Sequence, residues 1–355
     1  MKSNKLLALF LTLILCFSVM TGTAALAENK KLNVVTTIFP IYDWVREIIG
    51  NRDNTEITML LDKGVDLHSY QPTAQDIMKV ATCDVFIYVG GESDEWVEDA
   101  LKEAVNPSMI VINLVEAMGE NIKMEEIVEG MEHEQDHDGE HDEDHDHEEE
   151  HEHDEDHDHE EGHDHEEDHD HDHEHDEPDE HVWLSLRNAQ ILVGSIADGL
   201  CTADPEHAET YKANKASYSE KLAVLDEQYA ETVQGSAYKT ILFGDRFPFR
   251  YLADDYNLTY YAAFSGCSAE SEASFETIIF LAQKIDELGL PAILTIENPK
   301  TRIAQTVVEA NGAKDQKILS LDSMQGTTMA DVNAGSTYLS VMENNLSILR
   351  EALNK

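Results

Sequence analysis

Imidazole nitrogens and carboxylate oxygens both bind divalent cations, and this chain concentrates the two in one place. Between Glu132 and Glu180 there are 15 histidines and 30 acidic residues in 49 positions, with no lysine or arginine. The histidines are His133, His137, His141, His145, His147, His151, His153, His157, His159, His163, His165, His169, His171, His173 and His175. Imidazole suits Zn, Cu and Ni, and the acidic neighbours attract any divalent ion. The chemistry implied is metal handling. Whether the run is the site or an accessory to one turns on the histidines outside it.

Only His68, His181 and His207 remain. His68 lies in Asp66-Leu67-His68-Ser69-Tyr70-Gln71-Pro72-Thr73, in the loop after a strand-like segment. His181 sits where apolar sequence resumes, in Glu180-His181-Val182-Trp183-Leu184. His207 falls on an exposed acidic helical face and is assigned no role. Inside the run the pattern His-Glu-x-x-His begins at His147, His159 and His165. A metalloprotease needs that pattern on a helix whose apolar face fixes both rings on one metal. The run has no apolar residues, so the matches follow from composition and no enzyme is expected.

The formal charge is −49; the run supplies −30 of it, which leaves −19 for the rest. Nothing is available to neutralise phosphates, so nucleic acid is excluded as a partner, and the field favours cations. Lys2 and Lys5 precede the apolar stretch Leu6 to Met20, and Ala25-Leu26-Ala27 is a small-residue cleavage site. Residues 1–27 therefore read as a signal peptide, too short in its apolar part to span a membrane. The mature protein would start near Glu28, periplasmic or at the cell surface. The alternative is a lipid anchor on Cys16, which the bulky Leu15 before it disfavours. Cys83, Cys201 and Cys267 allow one disulfide at most and match no zinc-finger spacing; they read as buried free thiols.

Strand-like runs at Leu32 to Thr37, Glu56 to Leu61, Asp84 to Val89 and Ile110 to Leu114 alternate with helical segments at Ile41 to Ile49 and Ser93 to Val105. Thr73, with Asp76 three residues on, marks another helix start. The run interrupts this pattern: without apolar surface it cannot offset chain entropy, and it is expected to be a disordered, exposed insertion when metal is absent. Asp204-Pro205 then opens a long helix, with Asp as cap and Pro in the first turn. Its apolar stripe is Tyr211, Tyr218, Leu222, Leu225, Tyr229 and Val233. Alternation restarts with strands Thr240 to Phe243, Thr259 to Ala262, Ala292 to Ile296 and Lys317 to Leu321, and helices Ser274 to Leu288 and Lys300 to Asn311.

The pattern predicts an α/β fold of two Rossmann-like lobes with mostly parallel four-stranded sheets. One long helix joins them, and a ligand cleft is expected between them at the strand carboxyl ends. The boundaries are 28–203 for the first lobe with the insertion at 132–180, 204–235 for the linking helix, and 236–355 for the second lobe.

The phrase around His68, the phrase Asp179-Glu180-His181-Val182-Trp183-Leu184-Ser185-Leu186-Arg187-Asn188-Ala189, and Asp204-Pro205 with its long helix resemble the solute-binding proteins of zinc and manganese ABC importers. The resemblance covers essentially the whole mature chain. It implies one divalent ion between the lobes, delivered by a monomeric protein to an ABC permease in the cytoplasmic membrane. It makes His68 and His181 the first-lobe ligands, and Asp322 in Ser320-Leu321-Asp322-Ser323 a second-lobe ligand. The remaining ligand is usually a histidine or glutamate before an aromatic pattern. Here the segment reads Phe243-Gly244-Asp245-Arg246-Phe247-Pro248-Phe249-Arg250-Tyr251, without histidine. Asp245 is the nearest replacement unless Arg246 pairs with it, and Glu297 is the acidic alternative unless it starts a helix. The second-lobe disulfide of some zinc members cannot form, because that lobe has only Cys267.

Two imidazoles and two carboxylates suit four-coordinate Zn²⁺, and the same set with bidentate carboxylates suits Mn²⁺. The histidine run favours zinc. Binding needs neutral imidazole, so it should weaken as pH falls toward the ordinary histidine value of about 6.5. The run itself reads either as a low-affinity collector passing ions to the cleft, or as a solubilising insertion with incidental affinity. A metal buffer whose binder is the run, with the lobes as scaffold, is the competing function.

Overall fold

The structure is a computed structural model that describes residues 31–132, 177–268, 272–297 and 302–354. The signal segment 1–27, the run from 133 to 176, and the first two residues of the helix expected from Lys300 lie outside the described residues.

Short apolar runs that are buried on both faces form parallel strands, because the helices that connect them cover the sheet on each side. The first sheet contains β1 (Leu32–Thr36), β2 (Thr55–Met59), β3 (Val85–Tyr88) and β4 (Ile110–Asn113), in the order β2-β1-β3-β4. The second contains β5 (Thr240–Phe247), β6 (Thr259–Ser265), β7 (Ala292–Thr295) and β8 (Lys317–Ser320), in the order β6-β5-β7-β8. Every strand pair is parallel. Two sheets of four, one per lobe, are what the β-then-α alternation predicts. In each, the order reverses beside the first strand, so the loops at the carboxyl ends diverge and open a crevice there.

The helices of the first lobe are α1 (Phe39–Ile49), α2 (Ala74–Thr82), α3 (Trp96–Lys102) and α4 (Leu114–Met118). Thr73 and Asp76 form a reciprocal capping box at α2, satisfying backbone donors that would otherwise have no partner. After the insertion come α5 (Leu186–Ala203) and the 28-residue α6 (Ala208–Gly235). The six stripe residues of the long helix are its six buried ones. Its start differs from the expectation. Pro205–His207 is a 3₁₀ turn and α6 begins at Ala208, while the Asp204 side chain makes no cap. That carboxylate instead accepts from Arg52 Nε at 2.7 Å and Tyr211 Oη at 2.6 Å, which tie the turn to the first lobe and draw it away from the helix end. The second lobe adds α7 (Arg250–Asp255), α8 (Phe275–Leu288), α9 (Arg302–Ala310), α10 (Met329–Asn333) and α11 (Tyr338–Ala352).

The apolar core does not stop at the lobe boundary. One contiguous cluster runs from Val34 and Trp44 through Tyr211, Tyr229 and Trp183 to Phe243, Leu294 and Met342, and a smaller one lies beneath α8 and α9. Buried polar contacts reinforce the junction. Tyr229 Oη donates to the Met342 carbonyl at 2.6 Å, Tyr338 Oη to the Trp183 carbonyl at 2.7 Å, and Tyr338 N to Asp43 Oδ2 at 2.8 Å.

Candidate metal centre

His68 is carried by a single 3₁₀ turn, Leu67–Ser69, in the loop after β2. Asp66 caps that turn by accepting the His68 N–H at 3.1 Å. His181 is fully buried and begins the turn Val182–Leu184 that leads into α5. Asp179 holds it twice, with Oδ1 2.9 Å from its backbone N and 3.0 Å from its Nδ1. The two rings meet with Nε2 3.2 Å from Nε2.

Each ring is oriented by what its other nitrogen touches. His68 Nδ1 lies 2.7 Å from Ser93 Oγ and 3.7 Å from Glu180 Oε2, while Ser93 N donates to Glu180 Oε1 at 2.8 Å. His181 Nδ1 faces the Asp179 carboxylate. A carboxylate or hydroxyl behind Nδ1 fixes the tautomer that presents Nε2 as a lone pair. Burial, and next the charge of His181, push the His68 imidazole down to about 3, so it stays neutral over the working pH range. Burial pushes Glu180 up to about 7, and its Oε2 has no hydrogen-bond partner among the described residues.

The second lobe closes over this pair. The Trp183 indole N–H donates to the Ser323 carbonyl at 2.9 Å and pins the loop after β8 against the histidines. Asp322 begins that loop; its Oδ1 accepts Met324 N at 2.7 Å, and burial, then Glu297, push its carboxyl up to about 6. The residues after Glu297, where a helix start would show, lie outside the described residues, and Glu297 does not face the cleft freely. Its oxygens accept Ser323 Oγ at 2.6 Å and Gln325 N at 3.1 Å, so it shapes the 323–326 turn.

Asp245 lies within β5, which runs on to Phe247 past an irregularity in its pairing with β6. Its oxygens take the Arg246 and Ile296 amides at 2.9 and 3.4 Å, and burial pushes it up. The Arg246 side chain does not pair with Asp245. It reaches across to Asp66, and although burial opposes ionisation, the guanidinium holds the Asp66 carboxyl below the usual range. Gln325 fits the same corner, its Oε1 accepting from the Arg246 guanidinium at 3.3 Å.

Among the described residues, the His, Cys, Asp and Glu side chains whose ligand atoms come within 4.8 Å of one another are His68, His181 and Cys267. The structure thus brings the two sequence-nominated histidines together, and Asp245 and Asp322 stand outside that group. The sequence reading missed Cys267, Asp179, Glu180 and Ser93. The available signal for Cys267 was its place directly after a second-lobe strand, in a chain whose β5 segment lacks the expected histidine.

Zinc-binding protein AdcA of Streptococcus pyogenes serotype M3 is 31% identical over 350 residues, covering 99% of this chain and 61% of that protein. The chain therefore spans about three fifths of that relative's length. High-affinity zinc uptake system protein ZnuA of Bacillus subtilis strain 168 is 28% identical over 346 residues, 98% of this chain and 95% of that one. The crystal structure of the Zn(II)-bound ZnuA-like domain of Streptococcus pneumoniae AdcA superposes with a TM-score of 0.65 at 26% identity, covering 92% of this chain and all of that one. Residues 34–352 match the family model described as zinc-uptake complex component A, periplasmic, and the chain belongs to that family.

Proposed function

We propose that this protein captures Zn²⁺ between its lobes outside the cytoplasmic membrane and, as a monomer, hands it to an ABC permease. The observation that carries the reading is the 3.2 Å separation of the two Nε2 atoms, with both Nδ1 atoms held from behind. Two metal–nitrogen bonds of about 2.0–2.1 Å at the tetrahedral angle hold their nitrogens roughly 3.3 Å apart. The pair is already spaced for zinc. Asp322 is the proposed carboxylate from the second lobe, reached by a small rearrangement of the 323–326 turn. Asp245 supports the β5 corner rather than ligating, since both of its oxygens serve backbone amides. The names of the relatives, zinc-binding and zinc-uptake proteins, support this cargo.

The histidine run acts as a collector. It leaves the described fold at Glu132, whose N donates to the Ala263 carbonyl at 3.1 Å, and returns at Glu177. Glu125 N to Glu177 O and Asp179 N to Lys123 O, both 2.8 Å, fasten the returning strand four residues before His181. A cavity of about 710 Å³ joins that return point at Glu177 and Pro178 to His68 and Cys267, so an ion leaving the run has a path inward. The test is zinc titration of a chain lacking 133–176, which keeps Glu177, Asp179 and Glu180 in place. One tight equivalent retained, with slower metal acquisition under scarcity, is expected. Loss of the tight equivalent on deletion would make the run the binder and end the cleft reading.

The pH dependence follows from the buried groups. Glu180 is pushed up to about 7, and Asp43, Asp94 and Asp322 to about 6, all mainly by burial. At these four the folded protein binds more protons than the unfolded chain, so stability falls as pH rises through those values. His68 works in the opposite sense, being lowered to about 3, and its contribution is lost as pH falls below its unfolded value. Four groups outweigh one, and the metal-free protein is expected to melt at a higher temperature near about pH 5.5 than near about pH 7.5. Zinc must displace the Asp322 proton, so affinity should weaken below about 6, with His68 already neutral. Calorimetric melting and zinc titration at both pH values check this; Asp322→Asn should flatten the titration.

A further inference from the structure

We infer that Cys267 supplies a thiolate ligand to the cleft metal, completing with His68 and His181 a two-nitrogen, one-sulfur set. The inference deepens the zinc-capture reading and rests on it. Cys267 follows β6 by two residues, on the second lobe, and its Sγ lies within 4.8 Å of a ring nitrogen of each histidine. Tetrahedral zinc with bonds of about 2.3 Å to sulfur and 2.0–2.1 Å to nitrogen needs N···S spacings of roughly 3.6 Å. The atoms, already within 4.8 Å of one another, are close to that spacing.

Three further observations favour a ligand over an inert thiol. Gly266 presses its backbone against His181: a Cβ there would meet His181 Cε1 and the Phe247 carbonyl, each at 3.0 Å. A side chain at 266 would require the imidazole or the Phe247 carbonyl to shift, so glycine suits this close approach of the 266–268 turn. The thiol is free, half-buried, and opens on the cavity that also reaches His68, whereas Cys83 is buried against the Val80 carbonyl. Finally, the β5 corner where the family usually places another ligand is filled by the Arg246 guanidinium, paired with Asp66, which cannot bind a cation.

Ligation forms a metal–sulfur bond and releases the thiol proton. Glu125, whose Oε1 already accepts the Cys267 N–H at 3.0 Å, is placed to receive it. A thiolate also sets specificity, because soft sulfur selects zinc over manganese more strongly than a carboxylate does.

Co²⁺ titration of the full chain tests this, since only a thiolate gives cobalt an intense near-ultraviolet charge-transfer band and the histidine run contains no sulfur. The expected result is one equivalent of that band, absent from Cys267→Ser. Zinc affinity in Cys267→Ser should fall by roughly 100-fold or more, beyond the 10–100-fold typical for loss of an outer partner, and the zinc-over-manganese preference should narrow. No band in the wild-type chain, with tight zinc binding that still disappears in His68→Ala, would overturn the thiolate and leave zinc capture standing. Tight binding indifferent to both histidines would overturn the two together.

Discussion

In a chain lacking 133–176, replacing His181 by alanine is expected to abolish tight zinc binding. His68→Ala should do the same. His181 has no exposed surface, so no nearby solvent-held side chain can take over its position. Its removal deletes one of two nitrogens already at zinc spacing and leaves the Asp179 carboxylate with only a backbone N–H to accept. The fall should exceed the roughly 10–100-fold that follows from losing an outer partner. Asp179→Asn provides that comparison: an amide oxygen still accepts from the ring, but without charge, and a loss near about 10-fold is expected. Competition against a chelator of known affinity reads all three variants. A His181→Ala protein that keeps its wild-type affinity would place the metal elsewhere in the fold.

The second large effect is on stability. Trp183→Ala is expected to cost about 3–5 kcal/mol, as for other fully buried large aromatics. The residue has three attachments that alanine cannot reproduce. Its ring packs 5.2 Å from that of His181, its indole N–H holds the Ser323 carbonyl at 2.9 Å, and the cavity left behind would lie where the lobes join. Because Ser323 neighbours Asp322, zinc affinity should fall as well. Trp183→Phe separates the two contributions, keeping most of the volume and losing one hydrogen bond worth about 1 kcal/mol. Urea unfolding of the metal-free protein measures the stability term. A loss below about 1 kcal/mol, the average for any substitution, would mean that this junction does not hold the lobes.

The parts of the fold written as periodicity were legible in the sequence. The eight strands and the stripe from Tyr211 to Val233 depend on local apolar spacing, which burial on a sheet or along one helix face requires. The capping box at Thr73 was readable for the same reason, since both partners lie within one turn. Contacts made across the lobes were not. Arg246 adjoins Asp245 in sequence yet pairs with Asp66, 180 positions away, because the end of β5 faces the His68 turn. Asp204 has the residue type and neighbour of a cap but is claimed by Arg52, again from a distant segment. His68 and His181 could be singled out as first-lobe histidines outside the run, but only the resemblance made them partners; nothing in the spacing of 68 and 181 reports that their rings meet. Cys267 escaped because one cysteine in isolation carries no ligand pattern, and its chemistry emerges only beside two imidazoles.

The unbroken apolar core across the two lobes has a consequence for the protein's lifetime. With Trp44, Tyr229, Trp183 and Tyr338 shared between the halves, neither lobe can open without exposing the other's packing. A cation that binds only the closed arrangement therefore protects the whole chain. At a free concentration 100 times Kd that protection is about 2.7 kcal/mol, close to a hundredfold reduction in the open population available to proteases. Under proteolysis, the chain with such a cation bound would persist longer than the same chain without it.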